Sequence, residues 1–145
     1  RIFLDTSALF AGIWSAQGGA RMLLKLGEAE AVQLLVSPQV LGEIEAVIRR
    51  KSSGQLPILT VLLDRSRLEI IQSAREELLE NCQRLVSHPG DAHILADAWN
   101  GEPNYLVTLD RAHLLGNPAL ASVLPFILGT PGDCLYWYRN ALRNP

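Results

Sequence analysis

Two short apolar runs in this chain end in aspartate: Ile2-Phe3-Leu4-Asp5, and far downstream Tyr105-Leu106-Val107-Thr108-Leu109-Asp110. Runs this short and this uniformly apolar read as strands buried on both faces. Strands take that state in a parallel sheet whose crossovers are helices. Open α/β sheets bind ligands beyond the carboxyl ends of their strands, and both aspartates stand there. The chain is therefore expected to fold as α/β and to carry its function along one edge of the sheet.

The intervening sequence supplies the helices. Thr6 to Trp14 and Gly19 to Glu30 read as helical, divided by Gly18-Gly19, and Val32 to Val36 is a second strand. Ser37-Pro38 reads as an N-cap followed by proline at the first helical position, opening a helix over Pro38 to Arg50. Its apolar stripe is Val40, Leu41, Ile44, Val47 and Ile48. A turn at Ser52-Ser53-Gly54, a helix over Leu56 to Arg67, and a short edge strand at Leu68 to Ile71 follow. A charged helix, Ala74 to Val86, is broken by His88-Pro89-Gly90, and a new one runs from Asp91 to Trp99. After the Tyr105 strand, Pro125 to Leu128 forms the last strand and Pro131 to Leu142 the last helix. This alternation predicts a mostly parallel sheet covered on both faces, with right-handed crossovers. Gly54 to Val86 holds more helix than one crossover needs and reads as a helical excursion.

A chain of 145 residues, 48% hydrophobic and 19% charged, fits one domain with a genuine core. No apolar run approaches the ~20 residues of a membrane span. A net charge of −2 excludes attraction of the whole molecule to nucleic acid, so any such binding must be local. The chain opens at Arg1 and enters a strand at once, without the layout of a signal peptide. Cys82 and Cys134 are far apart and form no Cys-x-x-Cys pair. Free cysteines in a cytoplasmic protein are expected.

Besides Asp5 and Asp110, two further acidic residues fall where helices approach the same edge. Glu43 and Glu45 flank the apolar stripe of their helix on opposite sides. The pattern does not choose between them, although Glu43 lies nearer the helix start. Asp91 tops a stripe continued by Leu95 and Ala98, and as an aspartate after glycine it also reads as an ordinary N-cap. Asp97 faces the other way and reads as a solvated charge. Gathered carboxylates repel one another, and a bound cation relieves this; Mg²⁺ or Mn²⁺ suits an all-oxygen set completed by water. Such an ion can activate water and stabilise charge on a phosphate oxygen, which points to phosphodiester hydrolysis. The chain has no Gly-x-Ser-x-Gly elbow, no phosphate-cradling loop ending in lysine, and no His-x-x-x-His pair. His88, His93 and His113 read as surface or hydrogen-bonded histidines without evident partners.

In order and spacing these motifs resemble a PIN-domain ribonuclease of the single-domain toxin-antitoxin type related to the VapC toxins. The likeness rests on Leu4-Asp5-Thr6-Ser7, on Ser37-Pro38 through Glu43, on Gly90-Asp91 with Ile94-Leu95-Ala96-Asp97-Ala98, on Leu106-Val107-Thr108-Leu109-Asp110, and on Phe126-Ile127-Leu128-Gly129-Thr130-Pro131. It implies a three-layer PIN-like fold over residues 1–145 as a single nuclease domain. It also implies that Asp5, Glu43, Asp91 and Asp110 hold Mg²⁺ or Mn²⁺ and orient the attacking water, with Thr6 and Thr108 as supporting polar positions. Ser7 departs from the asparagine common in that subgroup. The implied activity is metal-dependent endoribonuclease, as the toxin of a toxin-antitoxin pair, with RNA as substrate, a cognate antitoxin as partner, and a homodimer as the assembly. The alternative is a non-catalytic RNA-binding or protein-interaction module on the same fold. A response-regulator phosphoacceptor would need a lysine after a late strand, where neither Lys25 nor Lys51 lies. Arg111 and the Arg49-Arg50-Lys51 cluster are candidate contacts to RNA backbone, although cations also favour a helix C-terminus without any ligand. Tyr136, Trp137 and Tyr138 could stack on bases or serve as core or dimer contacts.

Overall fold

Five parallel strands in the order β3-β2-β1-β4-β5 form the sheet of the computed structural model, which describes residues 1–145. The strands are β1 (Ile2–Leu4), β2 (Leu34–Val36), β3 (Glu69–Ile70), β4 (Tyr105–Val107) and β5 (Ile127–Gly129). Every residue of β1, β2 and β4 is buried, as continuous apolar runs require. Eight α-helices flank the sheet to give three layers: α1 (Thr6–Trp14), α2 (Gly19–Glu28), α3 (Pro38–Ser52), α4 (Leu56–Arg65), α5 (Glu76–Leu85), α6 (Pro89–Asn100), α7 (Pro118–Val123) and α8 (Pro131–Arg143). None is long and apolar enough to cross a membrane.

Local signals explain the helix starts. The Ser37 hydroxyl accepts from the Val40 N–H, and Pro38 follows in the first turn of α3. Thr130 and Asp133 form a reciprocal capping box at α8, again with proline behind the cap. Val40, Ile44 and Ile48 of α3 are fully buried, while Leu41 and Val47 lie half-buried at the sides of the stripe.

The elements differ from the sequence reading in four places. Gly54 to Val86 is no excursion: α4 puts Leu59 into the core, and β3 pairs with β2 through Leu35↔Glu69 and Val36↔Ile70. The pair α3 and α4 thus forms one long crossover. The Ser52-Ser53-Gly54 turn is absorbed into the end of α3 and a 3₁₀ turn at Ser53–Gln55. Third, α6 begins at Pro89, because proline is suited to the first helical position and its missing N–H is one that no helix start uses. His88 is the cap, and Asp91 is the third helical residue rather than the cap. Finally, Asp97 is not solvated: only 3% exposed, it accepts a 2.8 Å hydrogen bond from the Ala74 N–H, tying α6 to the segment leading into α5. An acceptor for a backbone donor offsets the cost of its burial.

The strand order reverses direction between β1 and β4. Chain growth from β1 proceeds through β2 to β3, whereas β4 and β5 lie on the other side. That switch point opens a crevice at the carboxyl ends of the strands, and Asp5 and Asp110 stand on its two sides.

Candidate metal centre

Asp5 leaves β1 as the N-cap of α1, its Oδ1 accepting the Ala8 N–H at 2.8 Å. It is only 4% exposed. The Ser7 hydroxyl donates to the same oxygen at 2.7 Å, and the Thr108 hydroxyl donates to Oδ2. The Thr108 bond crosses the switch point, and the same Oγ1 accepts the Asp110 N–H on its own side at 3.0 Å; Ser7 Oγ crosses in the other direction, accepting the Leu109 N–H at 2.9 Å. The ends of β1 and β4, paired at Leu4↔Val107, are thus bolted together around one carboxylate. Burial pushes the Asp5 pKa above the ordinary carboxylate value. The bonds from Thr108, Ser7 and Ala8 act against this rise, and the negative charge of Asp110 adds to it. Ser7 therefore holds a defined place in the site.

On α3, Glu43 is turned toward this edge and Glu45 away from it. Glu43 Oε2 accepts from the Thr6 hydroxyl at 2.5 Å, and Oε1 from the Gln39 amide one turn earlier at 2.7 Å. Glu45 is exposed and forms an i,i+4 pair with Arg49 at 2.7 Å. Glu43 also approaches α6: a β-carbon on Gly90 would stand 3.7 Å from its Oε1.

Asp91, in the first turn of α6, carries the least satisfied polar atom of the site. Its Oδ2 is buried and receives no hydrogen bond. His113 Nδ1 lies 3.2 Å from that oxygen and His88 Nδ1 3.6 Å, but neither ring hydrogen-bonds it. Burial raises the Asp91 pKa first and the Asp110 charge second. His88 and His113 oppose the rise, and Glu43 adds a smaller contribution to it. Asp110 caps a π-helical turn, Arg111–Leu115, through its Oδ1 and the His113 N–H at 3.0 Å, while its Oδ2 lies 3.3 Å from His113 Nδ1. One ligand atom from each of Asp91, Asp110 and His113 can be chosen so that all lie within 4.8 Å of one another.

The structure therefore brings the four predicted acids, with Thr6 and Thr108, to one edge. It also adds two groups that the sequence reading left without partners. His88 and His113 stack with ring centroids 5.6 Å apart and lie against Asp91 and Asp110. The sequence carried only a weak signal for them: His88 is three residues before Asp91 and His113 three after Asp110, a spacing that any surface pair on one helical face also shows. A hard divalent cation fits this donor set, since carboxylate oxygens dominate and one of them, buried without a hydrogen bond, points to an electropositive partner.

Other candidates are largely engaged by the fold. Arg49 pairs with Glu45, and the Lys51 ammonium lies 5.1 Å from the centre of the Phe10 ring. Trp137 packs against Tyr105, and the Tyr138 hydroxyl donates to the Ala31 carbonyl, leaving Tyr136 exposed. Cys82 and Cys134 are buried and free; burial, the larger cause, raises their pKa values to about 11 and about 12.

Comparison with solved structures finds the same architecture. VapBC2 from Rickettsia felis, crystallised with a DNA fragment from their promoter, matches with a TM-score of 0.61 and 21% identity. The match covers 88% of this chain and 96% of that one. VapC20 of Mycobacterium tuberculosis, a Sarcin-Ricin loop cleaving toxin, matches with a TM-score of 0.55 and 16% identity, over 77% of this chain and 92% of that one. At these identities the likeness is one of fold. No curated protein sequence matches the chain significantly. The family model of the PIN domain matches residues 1–112, a span that holds all four acids and four of the five strands. On that match, over most of its length, the chain belongs to the PIN-domain family.

Proposed function

We propose that this protein is a metal-dependent endoribonuclease that hydrolyses RNA phosphodiester bonds, acting as one nuclease domain over residues 1–145. The observation that carries the reading is the meeting of Asp5, Glu43, Asp91 and Asp110, from four separate elements, around a buried carboxylate oxygen of Asp91 that has no hydrogen bond. A purely structural cluster would be cross-linked by its own donors. Here Asp5 and Glu43 are so fixed, and Asp91 is left open toward the crevice.

Mg²⁺ or Mn²⁺ at this site would lower the pKa of bound water and offset the charge that develops on the scissile phosphate. Asp5, Glu43, Asp91 and Asp110 would hold the ion. Asp5 sets the floor of the site, since hydroxyls from Ser7 and Thr108 fix both its oxygens. Thr108 at the same time holds the backbone of Asp110 in register with it. Thr6 and Gln39 clamp the two oxygens of Glu43, which limits its rotamers before any ligand arrives. Without a cation the four carboxylates would repel an incoming phosphodiester, which makes activity obligatorily metal-dependent.

The biological role that follows from this reading is that of a cytoplasmic toxin, a homodimer, restrained by a cognate antitoxin protein. The fold shared with VapBC2 and VapC20 supports it. The direct test is cleavage of a mixed RNA pool with Mn²⁺ or Mg²⁺, with chelator, and with Asp5→Asn and Asp110→Asn. Cutting that needs metal and is lost in both variants is expected. Unchanged cutting in both would overturn the reading, and metal-independent RNA binding without cutting would replace it with a binding module.

A further inference from the structure

We propose that His113 is a nitrogen ligand of the metal held by Asp91 and Asp110, and that it makes the site favour a first-row transition ion over Mg²⁺. The inference rests on the metal-dependent reading of the site and deepens it. An all-carboxylate site is suited to Mg²⁺, Ca²⁺ or Mn²⁺, whereas an imidazole nitrogen adds affinity for borderline transition ions.

The geometry at His113 is that of a ligand position. Its Nδ1 lies 3.2 Å from Asp91 Oδ2 and 3.3 Å from Asp110 Oδ2. Two adjacent donors bound at about 2.1 Å stand about 3.0 Å apart on an octahedron, and about 3.4 Å apart on a tetrahedron. The observed separations fall between these values. The simpler account, in which the ring merely hydrogen-bonds the carboxylates, fails at one atom. Asp91 Oδ2 is buried and 3.2 Å from Nδ1, yet the ring does not hydrogen-bond it. Nδ1 is within hydrogen-bond distance of Asp110 Oδ2 at 3.3 Å, which leaves Asp91 Oδ2 unpaired; a cation between the three atoms, taking the place of a proton on Nδ1, would engage all of them. The ring is also held in place. The His113 N–H caps onto Asp110 Oδ1, and the imidazole stacks on His88 with an interplanar angle of 15°. His88 Nδ1 is farther away, 3.6 Å from Asp91 Oδ2, and serves to orient the ring.

The test uses Mn²⁺ as the probe and pulsed electron paramagnetic resonance as the readout, which needs no turnover. The expected result is ¹⁴N modulation of the Mn²⁺ echo in the wild-type protein, lost in His113→Gln and retained in His88→Gln. Competition titrations should show Mn²⁺ affinity falling at least about tenfold in His113→Gln, the scale on which even outer-shell partners act, while Mg²⁺ affinity changes much less. His113 is half-exposed, so the variant is expected to fold, which circular dichroism checks. Bound Mn²⁺ without ¹⁴N modulation in the wild type, or modulation that survives His113→Gln, would overturn the assignment while leaving the carboxylate metal site intact. No bound Mn²⁺ at all would remove the metal-dependent reading as well.

Discussion

Thr108 is the residue through which the two strand-end aspartates act on each other, and replacing it with valine isolates that role. The substitution keeps the branched shape and exchanges the hydroxyl for a methyl at a position with no solvent exposure. The bond donated to Asp5 Oδ2 and the one accepted from the Asp110 N–H at 3.0 Å are lost, together with a long contact of 3.5 Å to Ser7 Oγ that adds little. A hydrogen bond to a charged group contributes about 1.5–3 kcal/mol, and a partly buried N–H left without an acceptor costs on the order of 1 kcal/mol more. The loss is then about 3 kcal/mol, a sizeable part of the roughly 5–15 kcal/mol that stabilises a typical domain. With a urea slope of about 2 kcal/mol/M, the unfolding midpoint of the metal-free protein should fall by about 1.5 M. Circular dichroism in urea measures it, and Thr108→Ser, which keeps the hydroxyl, should recover most of the loss. In an Asp5→Asn background the valine penalty should shrink to about 2 kcal/mol, because the acceptor at residue 5 is no longer charged while the Asp110 N–H still loses its partner. A midpoint shift below about 0.5 M, or an equal penalty in both backgrounds, would refute the claim that this hydroxyl joins the two sides of the crevice.

Two further outcomes follow from the buried acids. Asp5 has a raised folded-state pKa, so the stability tied to its protonated form is fully present below the ordinary value of 3.8 and is lost as pH rises through the folded value. The stability of Asp5→Asn relative to wild type, both metal-free, should therefore increase with pH across that window in paired urea titrations; a difference that stays flat or falls would contradict the burial argument. Asp97→Ala should destabilise by about 2 kcal/mol because it removes the acceptor of the Ala74 N–H, while Asp97→Asn, which keeps a carbonyl there, should cost less than half as much by the same assay; equal losses would show that the hydrogen bond is not what matters.

The strands and most helices were legible because their signals are local. Ile2-Phe3-Leu4 and Tyr105-Leu106-Val107 could be buried only on both faces, and Ser37-Pro38 carries its own start signal. Where the reading failed, the deciding interaction was distant in sequence. Nothing near Asp97 announces that the Ala74 N–H, 23 residues earlier, needs an acceptor. Pro89 reads as the middle of the break His88-Pro89-Gly90 because proline both stops and starts helices, and the choice depends on what the following turn packs against. The edge strand at Leu68 to Ile71 was legible and is β3, but the stretch from Gly54 to Val86 still looked surplus, because nothing local says that α3 and α4 together make the crossover leading to so short and exposed a strand.

At the site, the positions of the acids were legible because each follows or lies within an element whose direction the chain itself declares. A strand end fixes Asp5 and Asp110, and an apolar stripe fixes the face of α3. Even so, the choice of Glu43 over Glu45 needed more than periodicity, and in the structure it is made by two polar groups, Thr6 and Gln39, on one side and Arg49 on the other. The histidines were illegible for the opposite reason. Each is separated from its nearest acid by an ordinary helical spacing, which by itself describes any surface pair. Only the meeting of the α6 start with the turn after β4 sets the two rings face to face against Asp91 and Asp110. A carboxylate set placed by strand ends is a property of the fold. The imidazoles beside it are specified by the start of α6 and the turn after β4, so they can vary without disturbing the sheet that aligns the acids.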